Sequence, residues 1–241
     1  MQKFVIGDIH GGLKALKEVL AKTPIQKEDL LIFLGDYVDG WSESAETIDF
    51  LMDLSKEQKC IFIRGNHDEL VLDYLKNGIN LKSWRDHGGE ATIANYAAQS
   101  EETIAKHIAF LEETILYHVD DENRLFIHGG FANHRGPQHE YYPHLMSWDR
   151  SLWETACAID PKLKPEDIRY PNRLRMFKEI YIGHTPVTRI GRDTPTNFAN
   201  VWNIDTGAAF KGSLSILNID TKEYWQSTAV HELYPEEKGR N

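Results

Sequence analysis

Phe4-Val5-Ile6-Gly7-Asp8-Ile9-His10-Gly11-Gly12 is the stretch that decides the reading of this chain. A short apolar run is cut off by glycine and aspartate, and a histidine follows the aspartate at spacing i, i+2. Such a run reads as a buried strand that ends in a loop. Both polar side chains can then turn into one pocket at the strand end. Working outward, the same design recurs. Leu30 to Leu34 precedes Gly35-Asp36-Tyr37-Val38-Asp39-Gly40, and Cys60-Ile61-Phe62-Ile63 precedes Arg64-Gly65-Asn66-His67-Asp68. Leu125-Phe126-Ile127 precedes His128-Gly129-Gly130, and Ile180-Tyr181-Ile182 precedes Gly183-His184-Thr185. Val201-Trp202-Asn203-Ile204 precedes Asp205-Thr206-Gly207, a triplet that reads as a turn at a strand end.

Helical patterns lie between these runs. Leu13, Leu16, Val19 and Leu20 share a face, as do Ala45, Ile48, Leu51 and Met52; over 101–113, Ile104, Ile108 and Leu111 do the same. Strand, motif and helix in repetition predict an α/β chain with its site at the strand ends. The last third is richer in strand signals, at 213–219 and 224–227 around the turn Asp220-Thr221-Lys222. Those runs predict a second sheet packed on the first. The segments 131–146 and 162–175 read as loops that rim a site. No repeat, linker or low-complexity stretch interrupts the chain, so one domain over 1–241 is expected.

The bulk numbers narrow the function. With 37 acidic against 27 basic residues the formal charge is -10, which opposes nucleic-acid phosphates at long range. No nucleic acid is expected as a partner. The apolar runs are too short to span a membrane. Two cysteines, Cys60 and Cys157, make no disulfide framework and read as small core residues. Without a visible leader, a reducing cytoplasmic setting is expected.

Hard divalent cations take carboxylate, amide-oxygen and imidazole ligands. Asp8 and His10 follow the first strand, Asp36 the second and Asn66 the third, while His128 and His184 follow two later ones. Asp36 can bridge two ions that the others complete. Two cations about 3.5–4 Å apart clamp a phosphoryl group and hold a hydroxide for in-line attack. His67 and Asp39 suit another task, because expelling an alkoxide needs a proton and an imidazolium held by a carboxylate can supply it. Arg64 and Arg150 are fork donors able to grip phosphate oxygens.

Taken together, Gly-Asp-x-His-Gly, Gly-Asp-x-Val-Asp, Gly-Asn-His-Asp, His-Gly-Gly and Gly-His-Thr resemble the phosphoprotein-phosphatase branch of the calcineurin-like metallophosphoesterases, from residue 7 to about 207. The resemblance implies a central β-sandwich of mixed sheets flanked by helices, in four layers, with Mn²⁺, Fe or Zn²⁺ in the site. It implies that Asp8, His10 and Asp36 hold one metal and that Asp36, Asn66, His128 and His184 hold the other. It makes His67 with Asp39 the proton donor and Arg64 a phosphate ligand. Trp148-Asp149-Arg150 looks like the Trp-x-Arg element of phage and bacterial members, which implies a second phosphate ligand in Arg150. The stretch from Trp84 to Tyr96 is similar to those members too.

One departure stands out. The second motif in protein phosphatases usually continues Asp-Arg-Gly, whereas here Asp39 is followed by Gly40-Trp41. One phosphate-gripping arginine is thereby missing. The expected activity is a metal-dependent phosphomonoesterase of the serine/threonine phosphoprotein-phosphatase kind, acting on a phosphoprotein, phosphopeptide or small phosphoester. Hydrolysis of bis-nucleoside polyphosphates is the alternative; those enzymes usually lack the aspartate equivalent to Asp39. A third reading, a binding module on an inactive phosphatase scaffold, predicts missing ligands, and none is missing.

Overall fold

Alternation within the short apolar runs builds two sheets and separates three cores. The computed structural model describes residues 1–240, and these form ten strands in two five-stranded sheets. The first sheet is ordered β10 (Tyr224–Gln226), β9 (Ser215–Asn218), β1 (Lys3–Ile6), β2 (Leu30–Phe33), β3 (Lys59–Phe62). The second is ordered β4 (Tyr117–Val119), β5 (Arg124–Ile127), β6 (Glu179–Ile182), β8 (Val201–Asn203), β7 (Thr196–Phe198).

Successive side chains of a strand point to opposite faces. Phe4, Ile6, Leu31 and Phe33 therefore meet the helices α1 (Leu13–Lys22), α2 (Ser44–Glu57) and α3 (Asn66–Asn77) through Leu16, Val19, Ile48, Leu51 and Val71. Val5, Ile32 and Leu34 face the other way, onto Phe126, Tyr181 and Ile204 of the second sheet. Leu125, Ile127, Ile180 and Ile182 face outward again, onto Leu152 and Trp153 of the helix Ser151–Ala158. The layers are thus helices, sheet, sheet, helices. Phe126 and Tyr181 stack at 5.0 Å in the middle of the sandwich.

Each sheet holds three parallel strands; antiparallel strands flank them on one side in the first sheet and on both sides in the second. β1, β2 and β3 run parallel, with Val5 opposite Ile32 and Ile32 opposite Ile61. β5, β6 and β8 do the same, with Tyr181 opposite Trp202. All six sequence motifs follow the C-terminal ends of these six parallel strands, three from each sheet. Ligand sites of parallel sheets lie at that end.

The expectation that 213–227 opens the second sheet is corrected. β9 pairs antiparallel with β1, Val5 opposite Leu217, and β10 extends it. The free edge of β1 would leave a row of peptide groups unpaired, and β9 covers it. The second sheet instead comes from the middle of the chain. The segment 131–147 carries only the short turns Pro137–His139 and Pro143–Ser147. Among the described residues no helix is long and apolar enough to cross a membrane. Both cysteines are unpaired.

Candidate metal centre

Backbone geometry aims the motif side chains. His10, Asp36 and His184 leave their strands with φ of 54°, 54° and 67°, and Asp39 takes 71°. Left-handed backbone at a residue other than glycine costs roughly 1–3 kcal/mol, so it persists only where surrounding bonds impose it. Those bonds are present. Ile9 N and His10 N both donate to Asp36 O, at 3.0 and 2.9 Å. Buried Asp68 accepts from Asp36 N, Tyr37 N and Gly65 N at 2.8–2.9 Å, tying the second motif to the start of α3. Two glycines are there for close approach. A Cβ on Gly65 would lie 2.2 Å from Asp36 Oδ1, and one on Gly183 would lie 2.1 Å from Asp8 Oδ1.

The two sheets bring the six expected ligands to one buried pocket. Asp36 presents one oxygen to each side of it: Oδ2 lies 3.5 Å from His10 Nε2, and Oδ1 lies 3.4 Å from His128 Nε2. Asn66 Oδ1 lies 3.2 Å from His128 Nε2 and 2.8 Å from His184 Nδ1. Donor atoms of Asp36, His128 and His184 fall within 4.8 Å of one another, as do those of His10, Asp36 and His67. Asp8 stands slightly apart from these groups. Its Oδ2 is 3.9 Å from His10 Nε2 and accepts the His184 N–H at 3.0 Å.

Three features fit divalent cations. The first is tautomer control. Nδ1 of His10 and of His128 faces a backbone carbonyl, Asp39 O at 3.1 Å and Leu34 O at 2.7 Å. A carbonyl accepts only from N–H, so Nδ1 carries a hydrogen in each ring and Nε2 is the atom left for a cation, as metal-binding imidazoles require. The second is His184 Nε2, which is buried without a hydrogen-bond partner; such an atom calls for a ligand.

The third feature is charge. Asp8, Asp36 and Asp205 are buried together, and burial with the neighbouring carboxylates pushes Asp8 well above the usual range and Asp205 up to about 6. Asp36 moves the other way. Burial opposes its charge, but the His128, His67 and His10 rings outweigh burial and hold it well below the usual range. His128 answers in kind: burial opposes its charge, yet Asp36 lifts it to about 10. Burial foremost pulls His10 and His184 well below the ordinary histidine range. A divalent cation held here would offset the charge of these carboxylates, and its binding would be coupled to loss of the His128 proton.

His67 and Asp39 form a separate pair. His67 Nδ1 is 2.7 Å from Asp39 Oδ2. Trp84 Nε1 also donates to Asp39 Oδ2, and Thr92 Oγ1 donates to Oδ1, both at 2.6 Å. Asp39 is thus fully engaged, and the stretch from Trp84 to Tyr96 has a use: it clamps that carboxylate. His87 of the same stretch is exposed, and its Nδ1 faces Ser83 O.

The arginines divide. Arg64 does not reach the pocket. Its guanidinium donates to Leu111 O, Glu112 O, Thr114 O and Thr114 Oγ1, capping the end of the helix Glu101–Glu113. The phosphate contact expected of it is corrected on that ground: the free carbonyls of a helix end are within reach and draw a cation. Arg150 does line the pocket, together with Arg189, Asp205, Phe210 and Arg240. Burial and then the charges of Arg189 and Arg240 pull Arg150 below the ordinary arginine range. No ion pair engages any of these three arginines among the described residues. The sequence reading missed Arg189 and Arg240, which belong to no motif. It saw Asp205 but read it only as a turn, which it also makes through Gly207 N at 3.0 Å.

Comparison with known proteins places the chain in a family. A model of the calcineurin-like phosphoesterase family matches residues 1–205. The asymmetrical bis(5'-nucleosyl)-tetraphosphatase of Geobacillus thermodenitrificans is 30% identical over 88% of this chain and 88% of its own. Serine/threonine-protein phosphatase 1 of Salmonella typhimurium is 26% identical, covering 90% of this chain and 91% of its own. Among solved structures, a protein serine/threonine phosphatase from Saccharomyces cerevisiae superposes with a TM-score of 0.58 at 15% identity, over 95% of this chain and 80% of that one. That likeness speaks to the fold.

Proposed function

Because this chain belongs to the calcineurin-like phosphoesterase family and is a metal-dependent phosphoric ester hydrolase, we propose that its substrates are phosphomonoesters, with serine/threonine phosphoproteins as the class. Asp8, His10 and Asp36 would hold one cation, and Asp36, Asn66, His128 and His184 the other, with Mn²⁺ as the expected metal. Cations so held neutralise phosphoryl oxygens and activate the attacking water. Arg150 and Arg189 face the same pocket and orient the phosphoryl group. His67, steered by Asp39, gives a proton to the departing alkoxide.

The observation that carries the monoesterase reading is the 2.7 Å pair of His67 with Asp39, itself braced by Trp84 and Thr92. A serine or threonine alkoxide is a poor leaving group and gains most from a positioned acid. The net charge of -10 fits neither a duplex nor a single-stranded nucleic acid. The unpaired cysteines suit a cytoplasmic setting.

A second reading, hydrolysis of bis-nucleoside tetraphosphates, is favoured by the name of the 30% identical relative. Its leaving group is a nucleotide phosphate, which needs less protonation. Mn²⁺-loaded protein assayed side by side on a phosphothreonine peptide and on diadenosine tetraphosphate separates the two. Release of phosphate from the peptide at the higher kcat/KM is expected. Efficient cleavage of the dinucleotide alone would replace the first reading with the second.

A further inference from the structure

Gly40 stands where the resembling motif carries an arginine, yet the pocket beside it holds a guanidinium. It belongs to Arg240, which reaches the pocket wall shared by His10, Asp36, Asn66, His67 and Arg150 from the far end of the described chain. A Cβ on Gly40, whose φ is 109°, would lie 3.3 Å from Arg240 Cγ, and one on Gly88 would lie 3.0 Å from the same atom. The two glycines thus form the slot through which the arginine stem passes. Arg240 N donates to Ala209 O at 2.9 Å, and the guanidinium lies 5.3 Å over the Phe210 ring. Its Nε is buried with no hydrogen-bond partner. A buried donor left unsatisfied is costly, so it points to an acceptor that the site receives.

The residue after Gly40 completes the device. Trp41 is fully buried, stacks on Tyr234 at 5.3 Å and donates from Nε1 to Ala208 O at 2.8 Å. Ser42 N and Oγ donate to Glu237 at 2.9 and 2.7 Å. Gly239 takes φ 59°, and a Cβ there would lie 2.7 Å from the Trp41 ring. The stretch Gly40-Trp41-Ser42 is therefore a dock for residues 234–240. We propose that Arg240 is a substrate phosphate-binding residue, delivered by this docked segment to the place where position 40 lacks an arginine. The proposal rests on the phosphomonoesterase reading of the site. Arg240, Arg150 and Arg189 then present guanidinium groups to the phosphoryl oxygens from separate parts of the chain.

The test compares wild type with Arg240→Gln and Arg240→Lys, all loaded with Mn²⁺. Steady-state kinetics on p-nitrophenyl phosphate and calorimetric titration with inorganic phosphate are the readouts, with metal content and melting temperature as controls. Losing a charge-assisted contact to phosphate should raise KM and the phosphate Kd about tenfold or more in Arg240→Gln. Metal content should be unchanged, and Arg240→Lys should fall between. Unchanged KM and phosphate Kd in Arg240→Gln, in an active enzyme, would overturn the role of Arg240 and leave the proposed function standing. Phosphate binding that depends on Arg240 in a protein that hydrolyses no phosphomonoester would do the reverse. If the loss of affinity came with a matching loss of metal or of melting temperature in both variants, Arg240 would be structural and the proposal would fall.

Discussion

His67 carries the sharpest residue-scale prediction. Its Nδ1 is held by Asp39 at 2.7 Å, in a pocket that it lines with Asp36 and Arg150. His67→Asn should slow hydrolysis of alkyl phosphates by about 10²-fold or more. Activated aryl phosphates, which depart without a proton, should be slowed far less. Equal slowing of both in steady-state assays would remove the acid role. Gly183 makes a second prediction. A methyl group there would meet Asp8 Oδ1 at 2.1 Å, so Gly183→Ala must displace the Asp8 carboxylate or the His184 turn. Elemental analysis should then find less than half the wild-type metal, and a full complement would show that the turn yields freely. The convergence of the six candidate side chains and the His67–Asp39 pair was legible because each sits within a few residues of a strand end. The reach of a long side chain was not legible. Arg64 adjoins the Asn66-His67 pair in sequence, yet its guanidinium ends on carbonyls of another element.

At the scale of elements, that arginine becomes a helix cap. The helix Glu101–Glu113 ends with carbonyls that have no intrahelical partner, and Arg64 takes Leu111 O and Glu112 O. Arg64→Met should therefore lower stability by about 2 kcal/mol, which in a chain of this size is a loss of roughly 4 °C or more in melting temperature. KM for p-nitrophenyl phosphate should stay within twofold of wild type. A raised KM with unchanged melting would return Arg64 to the substrate. The broken helix over 82–96 shows the same logic. Its two segments, Lys82–Trp84 and Glu90–Tyr96, supply Trp84 and Thr92 to one carboxylate across a bend where Gly88 takes φ 108°. Similarity to known members marked that stretch, but nothing local in it says that Asp39 is its target.

For the whole molecule, the end of the sandwich away from the metal centre has its own charge network. Lys3 of β1 reaches across to Asp120, which also holds the Nε of Arg124 in β5, and Arg124 bonds Asp220 beyond β9. The three parts of the chain that meet there belong to both sheets. Burial alone would raise Asp120, but its bonds to Lys3 and Arg124 bring it down to about 2. A carboxylate depressed in the folded state contributes stability above its unfolded value and loses it as pH falls through the folded one. The network should therefore help at neutral pH and fade between about pH 4 and pH 2. Asp120→Asn should melt several degrees lower than wild type at pH 7 and at nearly the same temperature near pH 2. An equal deficit at both values would mean that the side chain acts through packing rather than charge.

Order along the chain was enough to establish a run of strands, each ending in a polar motif, and the chemistry those motifs share. Period-two alternation and Gly-Asp punctuation are local properties, set by backbone sterics within a few residues. Only the tertiary structure decided that β9 and β10 close the open edge of β1 instead of founding the second sheet. Strand periodicity fixes which face is buried but not which edge finds a partner. The tertiary structure also decided which guanidinium groups enter the pocket. Arg64 is held by a helix end, while Arg240 passes the slot between Gly40 and Gly88 because Trp41 and Ser42 dock the segment that carries it. A cation at the end of a long flexible stem goes to whichever acceptors and space the fold brings within reach. That is settled by contacts between distant parts of the chain, and no motif at position 240 announces it.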